Sequence, residues 1–341
     1  MTKKWPKVSV VISNYNGLKL NLLQESLSSV LKNDYPNLEV IMVDNASIDG
    51  SPEVIKKKFG KNPRLKIIQN SVNMYSQGLN LGITNSDGEY VAFFNNDVVV
   101  RDGYFQLFIN FLEKNKDIAL SQGKLRWYYD DKIIDSAGET MDEYGNPITI
   151  GAGKDAAGFF NQTGEVLSVS GSCSILRKEV SEKIGIFDPE YGIGYEDLDL
   201  ALRAWMGGYR VIYYPEVEAF HKRGATDLSD MVRVKVRWHF NKNRIATMLK
   251  NYPVGFLVKN LPVTLLIYFW AGLWEIIIKR KVRLGLARFT SILWVIGNLS
   301  SILAKGRKVL RKGSKKGSRV IQEYLYKKTL LQSFGSFVKA R

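Results

Sequence analysis

The sequence predicts an α/β domain on a largely parallel sheet, followed by a basic, mainly helical region. Three observations predict it. Short continuous apolar runs alternate with helical patterns through the first hundred residues, as strands covered on both faces do. Polar clusters rich in Asn and Asp close those runs, where open α/β sheets bind ligands. Charge is also divided: residues 222–341 hold 26 Lys/Arg against 4 Asp/Glu, whereas residues 1–221 carry a balance of −6.

The elements follow in order. Val8–Ile12 is a buried strand, and residues 18–32 are helical, with Leu20, Leu23, Leu27, Val30 and Leu31 on one face. Val40–Val43 is a second strand ending at Asp44-Asn45. Ser51-Pro52-Glu53 opens a helix, serine as cap and proline in the first turn. Leu65–Ile68 is a third strand, residues 75–85 a glycine-containing helix, and Tyr90–Phe94 a fourth strand. Asn14-Tyr15-Asn16, Asp44-Asn45 and Asn95-Asn96-Asp97 all end strands and should converge on one cleft. From 119 to 220 short strands prevail. Val166–Ser172 reads as a strand running into a glycine turn, residues 196–207 as a helix, and 210–214 and 217–221 as two further strands.

One cysteine, Cys173, excludes an internal disulfide and suits a reducing compartment. The N-terminal residues lack the apolar stretch of a signal peptide, which places the first domain in the cytosol. No G-x-G-x-x-G follows the first strand and no Walker A pattern is present. A Rossmann dehydrogenase and ordinary P-loop chemistry are therefore disfavoured.

Each chemical signal has a plain structural rival. Asp97 at a strand end can bridge a hard cation to a diphosphate, or Asn95-Asn96-Asp97 forms an Asx turn. Asp44 can accept from a base or ribose, or cap the next helix. Glu196-Asp197-Leu198-Asp199 can be macrodipole partners of a helix start, but so dense a run beside Gly192 and Gly194 costs repulsion and suggests catalysis for at least one member. His221 can ligate a metal or be structural; His239 has no assigned role.

Taken together, VSVVISNYNG (8–17), VIMVDNASIDGS (40–51), GEYVAFFNNDVVV (88–100), SGSCSILRKE (170–179), FDPEYGIGYEDLDLALRAWMGGYRV (187–211) and FHKRGAT (220–226) resemble the inverting glycosyltransferases of family 2, on the GT-A fold. The nearest likeness is to a rhamnosyltransferase-like branch that builds surface polysaccharides and glycolipids. The resemblance covers residues 1–226 and implies a nucleotide-diphospho-sugar domain there; charge and apolar runs make 227–341 a basic, helical, membrane-associating region. It places Ser13, Tyr15, Asn16, Asp44, Asn45, Asn80, Asn96 and Asp97 around the donor. It gives Asp97, at the last position of the DXD motif, and His221 to Mn or Mg. Asp197 matches the general base, and Gly171, Ser172 and Glu196 the acceptor and sugar pocket. Two departures stand out: Asn95 and Asn96 replace the first acids of the motif, and Met74 replaces a loop glycine, with Gly78, Asn80 and Gly82 retained. The expected donor is a UDP-, dTDP- or GDP-sugar and the acceptor a lipid-linked or other saccharide.

Two apolar runs, 261–278 and 284–304, flank Lys279–Arg283. Eighteen residues of helix measure about 27 Å, short of a ~30 Å hydrocarbon core. If both runs spanned, the four positive charges between them would lie outside, against the positive-inside rule. Interfacial or re-entrant helices on the cytoplasmic leaflet fit better, with Tyr268, Trp270 and Trp274 near headgroups and anionic lipid along 257–319; spanning helices and a buried helix are the alternatives. Two rival functions compete. A nucleic-acid-binding tail is disfavoured because its aromatics sit inside the apolar runs and not among the basic residues. A non-catalytic sugar-nucleotide scaffold is disfavoured by the intact Asp97, Asp197 and His221 set.

Overall fold

The computed structural model describes residues 5–18, 21–223, 230–313, 315–327 and 332. The chain opens with β1 (Val8–Asn14), α1 (Leu22–Leu31), β2 (Leu38–Asn45), α2 (Ser51–Phe59), β3 (Leu65–Asn70), α3 (Tyr75–Thr84) and β4 (Tyr90–Asn95). Every residue of β1 and β2 is buried. β1 runs parallel to β2 and to β4, and β2 parallel to β3. The pairings Asn14↔Asp44 and Ser13↔Asn95 bring the polar strand ends to one edge.

Two helix starts differ from expectation. α1 begins at Leu22 and not at 18, because Asn21 before it is left-handed, φ 55°. α2 is preceded by Gly50 at φ 78°, so Ser51 is its first residue rather than its cap. A left-handed residue turns the chain sharply at the helix start, which glycine does without steric cost.

The second part adds β5 (Val98–Val100), α4 (Tyr104–Lys114), β6 (Ile118–Trp127), β7 (Ile134–Ser136), β8 (Glu139–Met141), β9 (Pro147–Thr149), β10 (Gly164–Glu165), β11 (Cys173–Arg177), α5 (Lys178–Ile184), α6 (Glu196–Met206) and β12 (Arg210–His221). The main sheet has the order β10-β12-β6-β11-β4-β1-β2-β3, with β5 on β12 and β7 on β6. It is mixed and not wholly parallel: β11 runs antiparallel between β4 and β6. No α-helix lies between β6 and β11, so nothing supplies the crossover a parallel neighbour requires. Val166–Ser172 is not a strand. Only Ser168 pairs, with Glu139, and the strand begins after the Gly171-Ser172 turn. The two late strands are one, β12, with a register shift between Tyr214 and Glu218.

Five helices follow: α7 (Asp230–Asn251), α8 (Val254–Ile277), α9 (Val282–Gly297), α10 (Leu299–Lys312) and α11 (Lys315–Tyr324). The helices from residue 230 onward pack against the first part of the chain. Met248, Tyr252, Ile321 and Leu325 share one core with Leu198, Leu202 and Trp205 of α6, and Trp205 stacks on Tyr324. α8 alone among the described helices is long and apolar enough to cross a membrane, and α9 and α10 pass the same test only together, bent by 68°. The charges inside these apolar runs face inward and pair: Arg288 donates to Glu275 at 2.8 and 3.0 Å, both side chains buried. Leu266, Phe269, Trp270, Trp274, Leu293 and Ile296 face outward and are exposed. Tyr268, expected near headgroups, is instead fully buried and donates to the Asn241 carbonyl.

Candidate functional site

The edge where β1, β2 and β4 end carries a polar chain. Asn96 donates to Asn14 at 2.8 Å and Asn14 to Asp44 at 2.7 Å. Asp44, 2% exposed, also accepts from the Ser47 backbone N–H and hydroxyl. Its carboxylate therefore closes a turn at the end of β2 and does not cap α2, whose N-cap is Gly50. Asn45 donates to Ser13 and accepts from Asn70. Gly78 is required here, since a Cβ would come within 2.2 Å of Asn45 Oδ1. Asn16 orders the next loop, accepting from the Ile48 N–H, and Tyr15 is exposed beside it. Asn80 stands apart. Both ends of its amide are bonded to the Phe187 backbone, so it fastens α3 to the segment before α6.

The second group lies where β5 folds onto β12. The pairing Val98↔His221 puts Asp97 beside His221, with His221 Nε2 3.1 Å from Asp97 Oδ1. On its other side, His221 Nδ1 bonds Asp135 Oδ2 at 2.8 Å. Burial works against charge on this ring, but the Asp135 and Asp97 carboxylates outweigh it and raise its pKa to about 9. An ionised carboxylate only accepts, so Nδ1 is the donor to Asp135. In a neutral ring that leaves Nε2 and Asp97 Oδ1 facing each other as two acceptors; with the pKa raised to about 9 the ring carries a second proton on Nε2 at neutral pH, in the place a cation would take. Such a contact is stable only with positive charge between, a proton or a cation.

The pair fits a divalent metal. Adjacent octahedral ligands at ~2.1 Å from Mg or a similar ion lie roughly 3.0 Å apart, close to the separation seen. Among the described residues no three His, Cys, Asp or Glu side chains are grouped to hold an ion by themselves, so remaining ligands would come from diphosphate oxygens and water.

The third group is the first turn of α6, entered through Gly192, Gly194 and Tyr195, all at positive φ. Asp197 Oδ2 accepts from the Gly171 N–H at 2.9 Å and Oδ1 from the Leu198 N–H at 2.7 Å. Gly171 is close-packed: a Cβ there would sit 3.0 Å from Asp197 Oδ2. Ser172 bonds the Ser170 hydroxyl and gives its carbonyl to Asn95, linking this turn to the Asp97 segment. Glu196 is buried, and its Oε2 has no hydrogen-bond partner. Burial first, and then the Asp197 charge, push Glu196 up to about 8; burial also raises Asp197. Among the described residues no lysine or arginine pairs with either acid. An apolar-walled pocket of Leu79, Phe93, Leu120, Val169 and Phe187 adjoins both. Tyr75 ties the groups together, its hydroxyl 2.9 Å from both Asn95 Oδ1 and the Gly171 carbonyl oxygen and donating to one at a time.

Asp199 belongs elsewhere. It is fully buried and meets Lys250 at 2.8 Å and Arg203 at 2.9 Å. Those cations overcome burial and hold its pKa well below the ordinary range. His239, left without a role, bonds the Tyr191 carbonyl, and Asn243 donates to the carbonyls of Tyr191, Ile193 and Gly194. α7 thus clamps the loop that delivers Asp197. Sequence reasoning missed Asp135 and Glu139, both on short strands of an irregular stretch. Burial and the Asp197 charge raise Glu139 to about 8.

The sequence pattern of glycosyl transferase family 2 matches residues 9–185. The chain belongs to glycosyl transferase family 2. This glycosyltransferase is 26% identical over 233 residues to a poly-beta-1,6-N-acetyl-D-glucosamine synthase of Staphylococcus epidermidis, covering 68% of this chain and 53% of that one. It is 34% identical over 113 residues to the putative glycosyltransferase EpsE of Bacillus subtilis, covering 33% and 40%. The chain spans about half or less of the curated relatives it matches. Among solved structures, GalNAc-T7 with UDP, GalNAc and Mn2+ superposes with TM-score 0.61 at 15% identity, over 87% of this chain and 57% of that one. S. aureus TarS 1–349 with UDP-GlcNAc gives 0.54 at 17%, over 94% and 93%. The mannosyltransferase PcManGT of Pyrobaculum calidifontis with GDP-Man and Mn2+ gives 0.52 at 18%, over 99% and 88%. At these identities the likeness establishes a shared fold, the GT-A-like mixed sheet.

Proposed function

We propose that this family 2 enzyme transfers a hexosyl or deoxyhexosyl group, with inversion, from a nucleoside-diphosphate sugar to a hydroxyl of a saccharide acceptor. One observation carries the reading. Asp197 is a half-buried carboxylate with no lysine or arginine paired to it among the described residues, held by two backbone N–H groups, and its Gly171-Ser172 partner turn is bonded through Tyr75 and Ser172 to Asn95, two residues before Asp97. A carboxylate whose pKa is raised takes a proton more readily at neutral pH. Asp197 removes the proton of the acceptor hydroxyl as its oxygen attacks the anomeric carbon from the face opposite the diphosphate; the bond to the leaving diphosphate breaks. Asp97 and His221 hold Mn or Mg. When bound, that cation supplies positive charge against the leaving diphosphate. Ser13, Tyr15, Asn16, Asn45, Asn96 and the Asp44 turn border the nucleoside, while Gly171, Ser172 and Glu196 border the sugar and acceptor. Donor binding by the neighbours crystallised with UDP, UDP-GlcNAc and GDP-Man supports a nucleotide sugar here.

The test pairs calorimetry of UDP-, dTDP- and GDP-sugars, with and without Mn, with transfer assays on lipid-linked acceptors. Asp197→Asn should keep donor binding and lose transfer. Near-normal turnover in that variant would remove Asp197 as the base.

The outward apolar faces of α8 and α9, with basic residues at 279–283 and 305–319, support a seat on the cytoplasmic surface of an anionic membrane. The inward Glu275–Arg288 pair is what such a monotopic arrangement needs: charges face protein and apolar side chains face lipid. A carrier-lipid-linked acceptor would be presented at the same surface. Flotation with anionic liposomes, set against DNA gel shift, separates this from nucleic-acid binding; DNA binding without flotation would refute it.

A further inference from the structure

Asp135 stands at a break in the regularity of the sheet. β7 pairs with β6 as Leu125↔Ser136 and Arg126↔Ile134, so Asp135 is the extra residue of a bulge. A bulge re-aims the side chain it carries. Here the carboxylate turns inward, 1% exposed, and meets His221, which β12 brings there by pairing with Trp127 on one side and Val98 on the other. Both carboxylate oxygens are engaged. Oδ2 accepts from His221 Nδ1 at 2.8 Å; Oδ1 accepts from Trp127 Nε1 at 3.1 Å and from Arg223 Nε. Trp127 and Arg223 therefore stop the carboxylate from rotating away from the imidazole.

We propose that Asp135 is the positioning residue of the metal site. By holding Nδ1–H it fixes both the tautomer and the rotation of His221, so that the Nε2 lone pair and Asp97 Oδ1 address one cation. The proposal rests on the reading of Asp97 and His221 as the metal pair. A carboxylate behind a ligating histidine also raises the basicity of the ring, and losing such a partner commonly weakens metal affinity about 10–100-fold.

Manganese affinity, measured by electron paramagnetic resonance in the presence of a nucleoside diphosphate, tests it on the full chain alongside thermal unfolding. Asp135→Asn should bind Mn about 10–100-fold more weakly, with metal-free nucleotide binding unchanged and an unfolding midpoint that, though lowered, stays above the assay temperature. Wild-type Mn affinity in Asp135→Asn, with a clear loss in His221→Ala, overturns the positioning role alone. Wild-type affinity in His221→Ala overturns the metal-pair reading, and the proposal with it. If Asp135→Asn does not fold, nitrogen NMR of the wild-type protein loaded with Mg and nucleoside diphosphate decides: a proton on Nδ1 of His221 and none on Nε2 is expected, and the reverse tautomer overturns the proposal.

Discussion

Asp197 and Asp199 lie two residues apart on the first turn of α6, the first half-buried and the second fully buried, in opposite electrostatic surroundings. Asp199 has Lys250 and Arg203 within ion-pair distance. Asp197 has two backbone N–H groups and an uncharged-leaning neighbour, Glu196. Burial alone raises the pKa of a carboxylate; a close cation reverses the shift. One helix turn thus carries a carboxylate locked in its charged form and another poised to exchange a proton. Side-chain direction explains the split. Asp199 points toward α7, which supplies Lys250 and Asn251, whereas Asp197 points to the Gly171 turn, which offers only backbone.

The comparison can be broken at several points. Asp197→Asn should lower kcat by ~10²–10⁴-fold with little change in nucleotide affinity, read by steady-state kinetics and calorimetry. Asp199→Asn should instead remove the buried carboxylate that Arg203 and Lys250 share, leaving Lys250 to Asp188 and Arg203 to backbone carbonyls, and cost about 3 kcal/mol of stability, seen in denaturant unfolding. If the losses fell the other way round, the division of roles would be wrong.

Glu196 sharpens the contrast through pH. Its folded pKa, about 8, lies above the ordinary 4.5 of a glutamate, so its contribution to stability is present below 4.5 and is lost as pH rises through 8. Glu196→Gln, which keeps the neutral form, should make unfolding less pH-dependent over that window. The gain at high pH should be on the order of a few kcal/mol. With Asp197 as the proposed base, the kcat profile should show an acid limb above the ordinary 3.8 of an aspartate, because burial raises Asp197 and the acceptor proton is taken by the ionised form. The smallest change is Gly171→Ala. Its Cβ would press on Asp197 Oδ2 at 3.0 Å and should reduce turnover by roughly tenfold through misplacement of the carboxylate, with an unfolding midpoint near wild type.

The strands β1 to β4 were legible because each is a continuous apolar run with polar residues at its end, and their convergence at one edge followed from parallel pairing. Asp97, His221 and Asp197 were legible as residue types in ordered motifs. Asp135 and Glu139 were not, since each sits on a three-residue strand in which no periodicity can develop. Of the aromatics expected near headgroups, Trp270 and Trp274 are exposed and Tyr268 is buried, because apolar composition does not say which side of a helix meets protein.

By itself, the sequence determined the α/β alternation, the strand-end cleft, the two acidic centres and the charge division between the halves. These depend on local pattern, and local pattern is written residue by residue. Only the tertiary structure decided that β11 is antiparallel, that the basic tail completes the core around α6, and that Asp135 stands behind His221. It also decided which of two acids on one helix turn is paired with cations. Those outcomes depend on groups brought together from segments tens of residues apart, where burial and neighbouring charge, not residue type, set the chemistry.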